Sequence, residues 1–226
     1  NETCRPIYKG PKLTTTETTR ICPFGITFNR EAGDDKFGVD EAIRGPLENA
    51  TTPSEILDYD WPDPQWFDVE ALAEECERNK DRYIIGGFWS GILGHSYRMI
   101  GFENFLLQSA LNPDLVKTLI DRMTEFYLEL NERLFRALNG KMDVWFFGND
   151  FGSQSGMLIS PDQFDDLFSD NYRALTELAK SYDMSVMSHS CGSIRPLIAR
   201  FIDIGIDIID PVQTTAGNMQ ATELKS

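Results

Sequence analysis

The chain has only two histidines, His95 and His189, and the second sits in Ser188-His189-Ser190-Cys191-Gly192-Ser193. In an extended segment, residues two apart point to the same side, so His189 and Cys191 converge at the end of a strand. A thiolate and a neutral imidazole suit Zn²⁺, and a catalytic zinc takes three protein ligands with one position open. A helix is expected after Gly192, with its N-terminal amides aimed at Cys191, an arrangement that lowers a thiol's pKa and favours the ligating form. The alternative is a buried cysteine beside a histidine hydrogen-bonded at a strand end.

A second constellation is Gly148-Asn149-Asp150-Phe151-Gly152-Ser153-Gln154, directly after an apolar run. Polar side chains in the loop leaving a parallel strand sit where α/β folds build their sites. Asp150 is the candidate general base or partner of a substrate proton donor. Asn149 and Gln154, with Gln213 of Asp210-Pro211-Val212-Gln213, are candidate substrate contacts. Loop caps and an Asx-turn are the competing reading. Gly86-Gly87-Phe88-Trp89-Ser90-Gly91 has neither a P-loop lysine nor the dinucleotide fingerprint. It reads as close backbone packing that lines the site. His95 falls on a helix, in a core or surface role. Asp162, Asp165, Asp166 and Asp170 form a solvated helix face, and Cys4, Cys22 and Cys76 lack partners at ligand spacing and read as structural.

The elements that must position these residues follow from hydrophobic period. Residues 1–80 are a loop-rich segment holding most of the turn formers, Gly33-Asp34-Asp35 and Trp61-Pro62-Asp63-Pro64 among them. A short strand pair is expected around residues 20–29 and a helix over 68–79. Residues 81–226 repeat strand, loop and helix within one domain overall. Strands are expected at 83–88, 142–147, 184–188 and 206–209, each apolar enough to be covered on both faces. Asn112-Pro113-Asp114 offers an N-cap, a proline at the first helical position and an acid for the helix dipole. Leu115, Leu119, Met123, Phe126, Leu130, Leu134 and Leu138 mark that helix's buried face, and Asn139-Gly140 stops it. Ser160-Pro161-Asp162-Gln163 is a capping box opening a helix whose stripe runs Phe164, Leu167, Phe168, Leu175, Leu178 and Tyr182. A third helix follows Ser193 and ends at Gly205. Parallel βαβ units of this kind imply an α/β barrel or a doubly wound sheet. Only four strands are clear, whereas an eight-stranded barrel takes about 250 residues. The expectation is a fragment, with the last strands missing.

With 226 residues and 41% hydrophobic side chains the chain can bury a sizeable core. A formal charge of −15, from 36 acidic and 21 basic residues, disfavours non-specific binding to nucleic acid or to an anionic membrane. No apolar run reaches the roughly 20 residues of a membrane span. Four widely spaced cysteines fit a reducing cytosol better than a disulfide framework, so a soluble cytoplasmic protein is expected.

The run Trp145-Phe146-Phe147-Gly148-Asn149-Asp150-Phe151-Gly152-Ser153-Gln154, then Leu158-Ile159-Ser160-Pro161, His189-Ser190-Cys191-Gly192-Ser193-Ile194, Gly205-Ile206-Asp207 and Asp210-Pro211-Val212-Gln213, resembles the uroporphyrinogen decarboxylase superfamily. Gly45-Pro46-Leu47 and Tyr59-Asp60-Trp61-Pro62-Asp63-Pro64 look like its opening segment. The resemblance implies a (β/α)8 TIM-type barrel with its site at the C-terminal ends of the strands. It also implies one of two chemistries. One branch decarboxylates uroporphyrinogen without metal or cofactor; the other uses a zinc held by a His-x-Cys pair and a later cysteine to transfer methyl groups to or from corrinoids. His189 and Cys191 match that pair, the later cysteine would fall beyond Ser226, and the arginine-rich segment and upstream aspartate of the decarboxylases find no match. The leading expectation is a zinc-dependent methyltransferase moving a methyl group between a corrinoid, carried on a partner protein, and a thiol or small acceptor. The alternatives are a tetrapyrrole carboxy-lyase and a non-catalytic barrel that binds a corrinoid or tetrapyrrole.

Overall fold

A computed structural model describes residues 7–29 and 41–224. Cys4 and the turn expected at Gly33-Asp34-Asp35 lie outside them. The segment before residue 80 holds small antiparallel pieces. β1 (Ile7–Tyr8) pairs with β5 (Phe67–Asp68), while β2 (Thr19–Ile21), β3 (Thr27–Asn29) and β4 (Ala42–Arg44) form a three-stranded sheet. The strand pair expected at 20–29 is the β2–β3 hairpin, with Thr19 opposite Asn29. Of the helices there, α1 spans Pro53–Leu57, and α2 (Glu70–Arg78) opens where Asp68 accepts the amides of Glu70 and Ala71.

The site rests on the second part. β6 (Ile85–Gly86), β7 (Val144–Gly148), β8 (Ser185–His189) and β9 (Ile208–Asp210) form a parallel sheet in sequence order. The connections run through α3 (Ile92–Ile100), α4 (Phe102–Leu111) and α5 (Pro113–Leu138), then α6 (Pro161–Leu167) and α7 (Ser169–Lys180), then α8 (Arg195–Asp203); α9 (Ala221–Leu224) follows β9. This is an α/β fold with separate parallel and antiparallel sheets, consistent with a TIM-type barrel; among the described residues its parallel sheet has four strands and is not closed into the eight-stranded barrel expected. No described helix is long and apolar enough to cross a membrane.

The seven apolar residues expected on one face of α5 are all buried, and Asn139 takes the left-handed conformation that ends the helix. Asn112 occupies the N-cap position but makes no cap bond, because its amide donates to the Thr51 carbonyl at 3.1 Å instead. The Ser160–Gln163 capping box forms in both directions, at 3.1 and 3.0 Å. The single helix expected after it breaks at Phe168 into α6 and α7. Phe164, Phe168 and Tyr172 pack there around the buried Phe151 ring, with centroids 5.2–5.7 Å away, and aromatic packing overrides the straight helical stripe.

Three strands start later and end one residue later than their apolar runs. The Met184 and Ile206 amides bond back to the carbonyls of Ala179 and Phe201 in the preceding helices, so these residues close helix ends rather than open strands. The first strand is only two residues long, because Gly87 at φ +125° leaves the extended region. Coverage of the second face is incomplete: β7 is buried on both faces at Val144 and Trp145, but the sheet opens beyond them. Trp145, Phe147, Val186 and Ser188 are buried on the helix side, with Trp145 and Phe147 stacked at 4.3 Å. Phe146 and Met187, on the other face, are only part-buried, and Ile208 and Ile85 are 39% and 51% exposed.

Candidate metal centre

The register of the sheet builds the site. Gly148 pairs with His189 and His189 pairs with Asp210, so the last residues of β7, β8 and β9 lie in one row. The loops beyond them are bound to each other. Asn149 donates its backbone N–H to the His189 carbonyl (3.0 Å), Ser190 to Asp210 (3.0 Å) and Ser193 to Ser153 (2.8 Å). The approach is so close that a Cβ added to Gly152 would stand 2.7 Å from the Cys191 carbonyl oxygen.

In this frame Asp150, His189 and Cys191 present a carboxylate oxygen, an imidazole nitrogen and a thiol sulfur, all within 4.8 Å of one another. Asp150 Oδ1 lies 3.2 Å from His189 Nε2 and accepts the Cys191 backbone N–H at 3.0 Å. The other ring nitrogen, Nδ1, lies 3.2 Å from Asp210 Oδ2. Trp89 packs on the His189 ring at 5.4 Å between centroids, and Phe146 meets it edge-on at 6.4 Å. The segment 86–91 therefore lines the site through Trp89. Asp150 keeps 52% of its side-chain surface in solvent and His189 25%, so the cluster opens to ligands.

The hydrogen bond from His189 holds the Asp150 carboxyl down to about 2, against the opposing effect of partial burial. Asp150, and after it Asp210, raises the His189 pKa against the same effect. Burial, and then the Asp150 carboxylate, pushes the Cys191 thiol up rather than down. The expected helix N-terminus does not lower it, because α8 begins only at Arg195 and the Gly192 and Ser193 amides are spent on Gln213 and Ser153. A cation held between the three groups would reverse that balance by favouring the thiolate.

The donor set fits a metal. Ligand atoms about 2.0–2.3 Å from a tetrahedral zinc stand roughly 3.3–3.8 Å apart, so the cluster needs only a modest contraction. Thiolate, imidazole and carboxylate are the zinc donors, and three protein ligands leave one position open. The structure thus brings Asp150, read from sequence as a base or substrate contact, beside the expected pair His189 and Cys191. Gln213 accepts the Gly192 N–H at 2.8 Å, tying the third loop to the second. Gln154 is exposed at the rim, and its carbonyl accepts the Gly217 N–H. Asn149 is buried, with Oδ1 accepting the Gly94 N–H at 2.9 Å and Nδ2 donating to the Tyr172 hydroxyl at 2.5 Å. The contact of Asp210 with His189 is missed by spacing arguments; its only sequence signal is that both residues end adjacent strands.

An α/β fold with a metal-capable cluster at the C-terminal ends of parallel strands defines the class of the protein. A family model described as "Uroporphyrinogen decarboxylase (URO-D)" matches residues 22–223, and the chain belongs to that family. A solved structure of a methyltransferase from Methanosarcina mazei is similar in fold, with a TM-score of 0.58 at 20% identity over 83% of this chain. The chain spans about half of that structure, 52%. No curated protein matches the chain.

Proposed function

We propose that this URO-D family chain holds a metal ion, zinc by its donor set, on Asp150, His189 and Cys191. In this reading it transfers a methyl group between a corrinoid on a partner protein and a thiol or other small acceptor. The observation that carries the reading is the convergence of sulfur, nitrogen and oxygen donors within 4.8 Å at an open strand end. A bound zinc would supply Lewis acidity, lowering the pKa of an acceptor thiol so that it reacts as a thiolate. The chain's own residues do the rest. His189 and Cys191 hold the cation, and Asp150 completes the set. A carboxylate whose pKa lies near 2 is a weak proton acceptor at neutral pH, which favours ligation over general-base work for Asp150. Trp89 and Phe146 give the cluster an apolar wall that keeps water from one side. Gln154 at the rim and the free amide NH₂ of Gln213 are the proposed substrate contacts, while Asn149, engaged at both ends, positions the loop.

The second reading is decarboxylation of a tetrapyrrole carboxylate. The family description backs it more directly than it backs methyl transfer. The two part on metal dependence. The test is the metal content of the purified protein beside His189→Ala and Cys191→Ala. About one zinc per chain, lost in both variants, with methyl transfer from a methylated corrinoid to a thiol abolished by chelation, supports the first reading. No metal in the wild type, with uroporphyrinogen turned over in the presence of a chelator, establishes the second.

A further inference from the structure

His189 has a carboxylate at each ring nitrogen, Asp150 at Nε2 and Asp210 at Nδ1, each 3.2 Å away. Their positions differ in kind. Asp150 shares the outer side of the ring with Cys191, where the donor atoms converge. Asp210 sits behind the ring, as the residue directly opposite His189 in the β8–β9 register. Its placement is fixed by backbone, because the Ser190 N–H bonds the Asp210 carbonyl at 3.0 Å. Trp89 and Phe146 pack on the ring itself and limit its rotation.

A neutral imidazole carries one proton, and the nitrogen without it is the one that can bind a metal. An ionised carboxylate only accepts, so each of the two takes a ring proton; a cation held between Asp150 and Cys191 would displace the proton at Nε2, and the carboxylate fixed at Nδ1 would keep the one that remains, leaving the Nε2 lone pair for the metal. We propose that Asp210 is a positioning residue. It accepts the Nδ1–H of His189, fixing the tautomer and ring orientation that present Nε2 to a metal shared with Asp150 and Cys191. This inference rests on the metal reading above. Asp210 makes no contact with the ion in this arrangement and acts through the basicity and aim of His189.

The test measures zinc affinity by competition with a chromogenic chelator, on the wild type, Asp210→Ala and Asp210→Asn. Asp210→Ala removes the acceptor and is expected to weaken zinc 10- to 100-fold, the usual cost of losing such a partner. Asp210→Asn retains a neutral carbonyl acceptor of the same shape and is expected to lose less. In the cobalt(II)-loaded protein, the metal-shifted Nδ1–H resonance of His189 should be slow to exchange in the wild type and in Asp210→Asn. It should be broadened by exchange in Asp210→Ala, a change that loss of packing alone does not produce. Wild-type binding of one zinc with unchanged affinity in both variants overturns the role of Asp210 while leaving the metal reading intact. No zinc uptake by the wild type overturns both. Asp210→Asn guards against a misfolded alanine variant.

Discussion

One oxygen of Asp150 meets both the His189 ring and the Cys191 amide, so exchanging the carboxylate for an amide changes two neighbours together. Asp150 is the largest cause of the raised His189 pKa, and it adds to the burial that raises the Cys191 thiol. In metal-free Asp150→Asn both pKa values are expected to fall, that of His189 toward the ordinary 6.5 or so. A titration of the imidazole ring protons by NMR checks the first, and an unchanged His189 value would place the dominant charge elsewhere. The same variant replaces an anionic oxygen ligand with a neutral one, so zinc affinity should drop by on the order of tenfold or more. The pairing of His189 with Cys191 was legible from their i, i+2 spacing in a strand. The third donor was not, because Asp150 lies 39 residues before His189 and reaches it only through the pairing of Gly148 with His189.

At the scale of elements, the site depends on two loops lying closer together than side chains permit. Gly152 faces the Cys191 carbonyl and the Ser193 amide, and Gly192, at φ +87°, faces the Gly152 backbone in return. Gly152→Ala would place its Cβ 2.7–2.8 Å from backbone atoms that no rotamer can move. The loops must separate, at a cost of about 1–3 kcal/mol. The expected result is a lowered unfolding midpoint together with weakened zinc binding, read by denaturant titration and chelator competition. A variant as stable and as tightly metal-binding as the wild type would mean that the loops are free to adjust. Helix positions were legible because caps and apolar stripes are local signals, as at Ser160–Gln163 and along α5. The helix break at Phe168 and the late strand starts were not. Both are set by contacts between elements, an aromatic cluster in one case and helix-end hydrogen bonds from Met184 and Ile206 in the other.

For the whole molecule, the histidine outside the site makes stability depend on pH. His95 joins three parts of the fold: Phe24 of the N-terminal hairpin at 5.0 Å between rings, the Gly91 carbonyl at 3.0 Å ahead of α3, and the Tyr127 hydroxyl of α5 at 2.8 Å from Nδ1. Burial, reinforced by the charge of Arg98 and partly offset by the Gly91 bond, pushes its pKa down to about 4. The folded chain therefore keeps His95 neutral at pH values where the unfolded chain, titrating near 6.5, binds a proton. Its contribution is complete above about pH 6.5, is lost as the pH falls from there to about 4, and amounts to on the order of 3 kcal/mol. His189 works with the opposite sign. Its raised pKa stabilises the fold below about 6.5 and stops doing so as the pH rises through the folded value. The two overlap in any single pH profile, so the His95 contribution is read as a difference. Denaturant unfolding of the wild type and His95→Gln at pH 7.5 and 4.5 should show the variant less stable at pH 7.5, with the gap closing or reversing at pH 4.5, because only the wild type carries the histidine that acid must protonate. A gap of equal size at both pH values would mean that His95 takes up its proton inside the fold as readily as outside it.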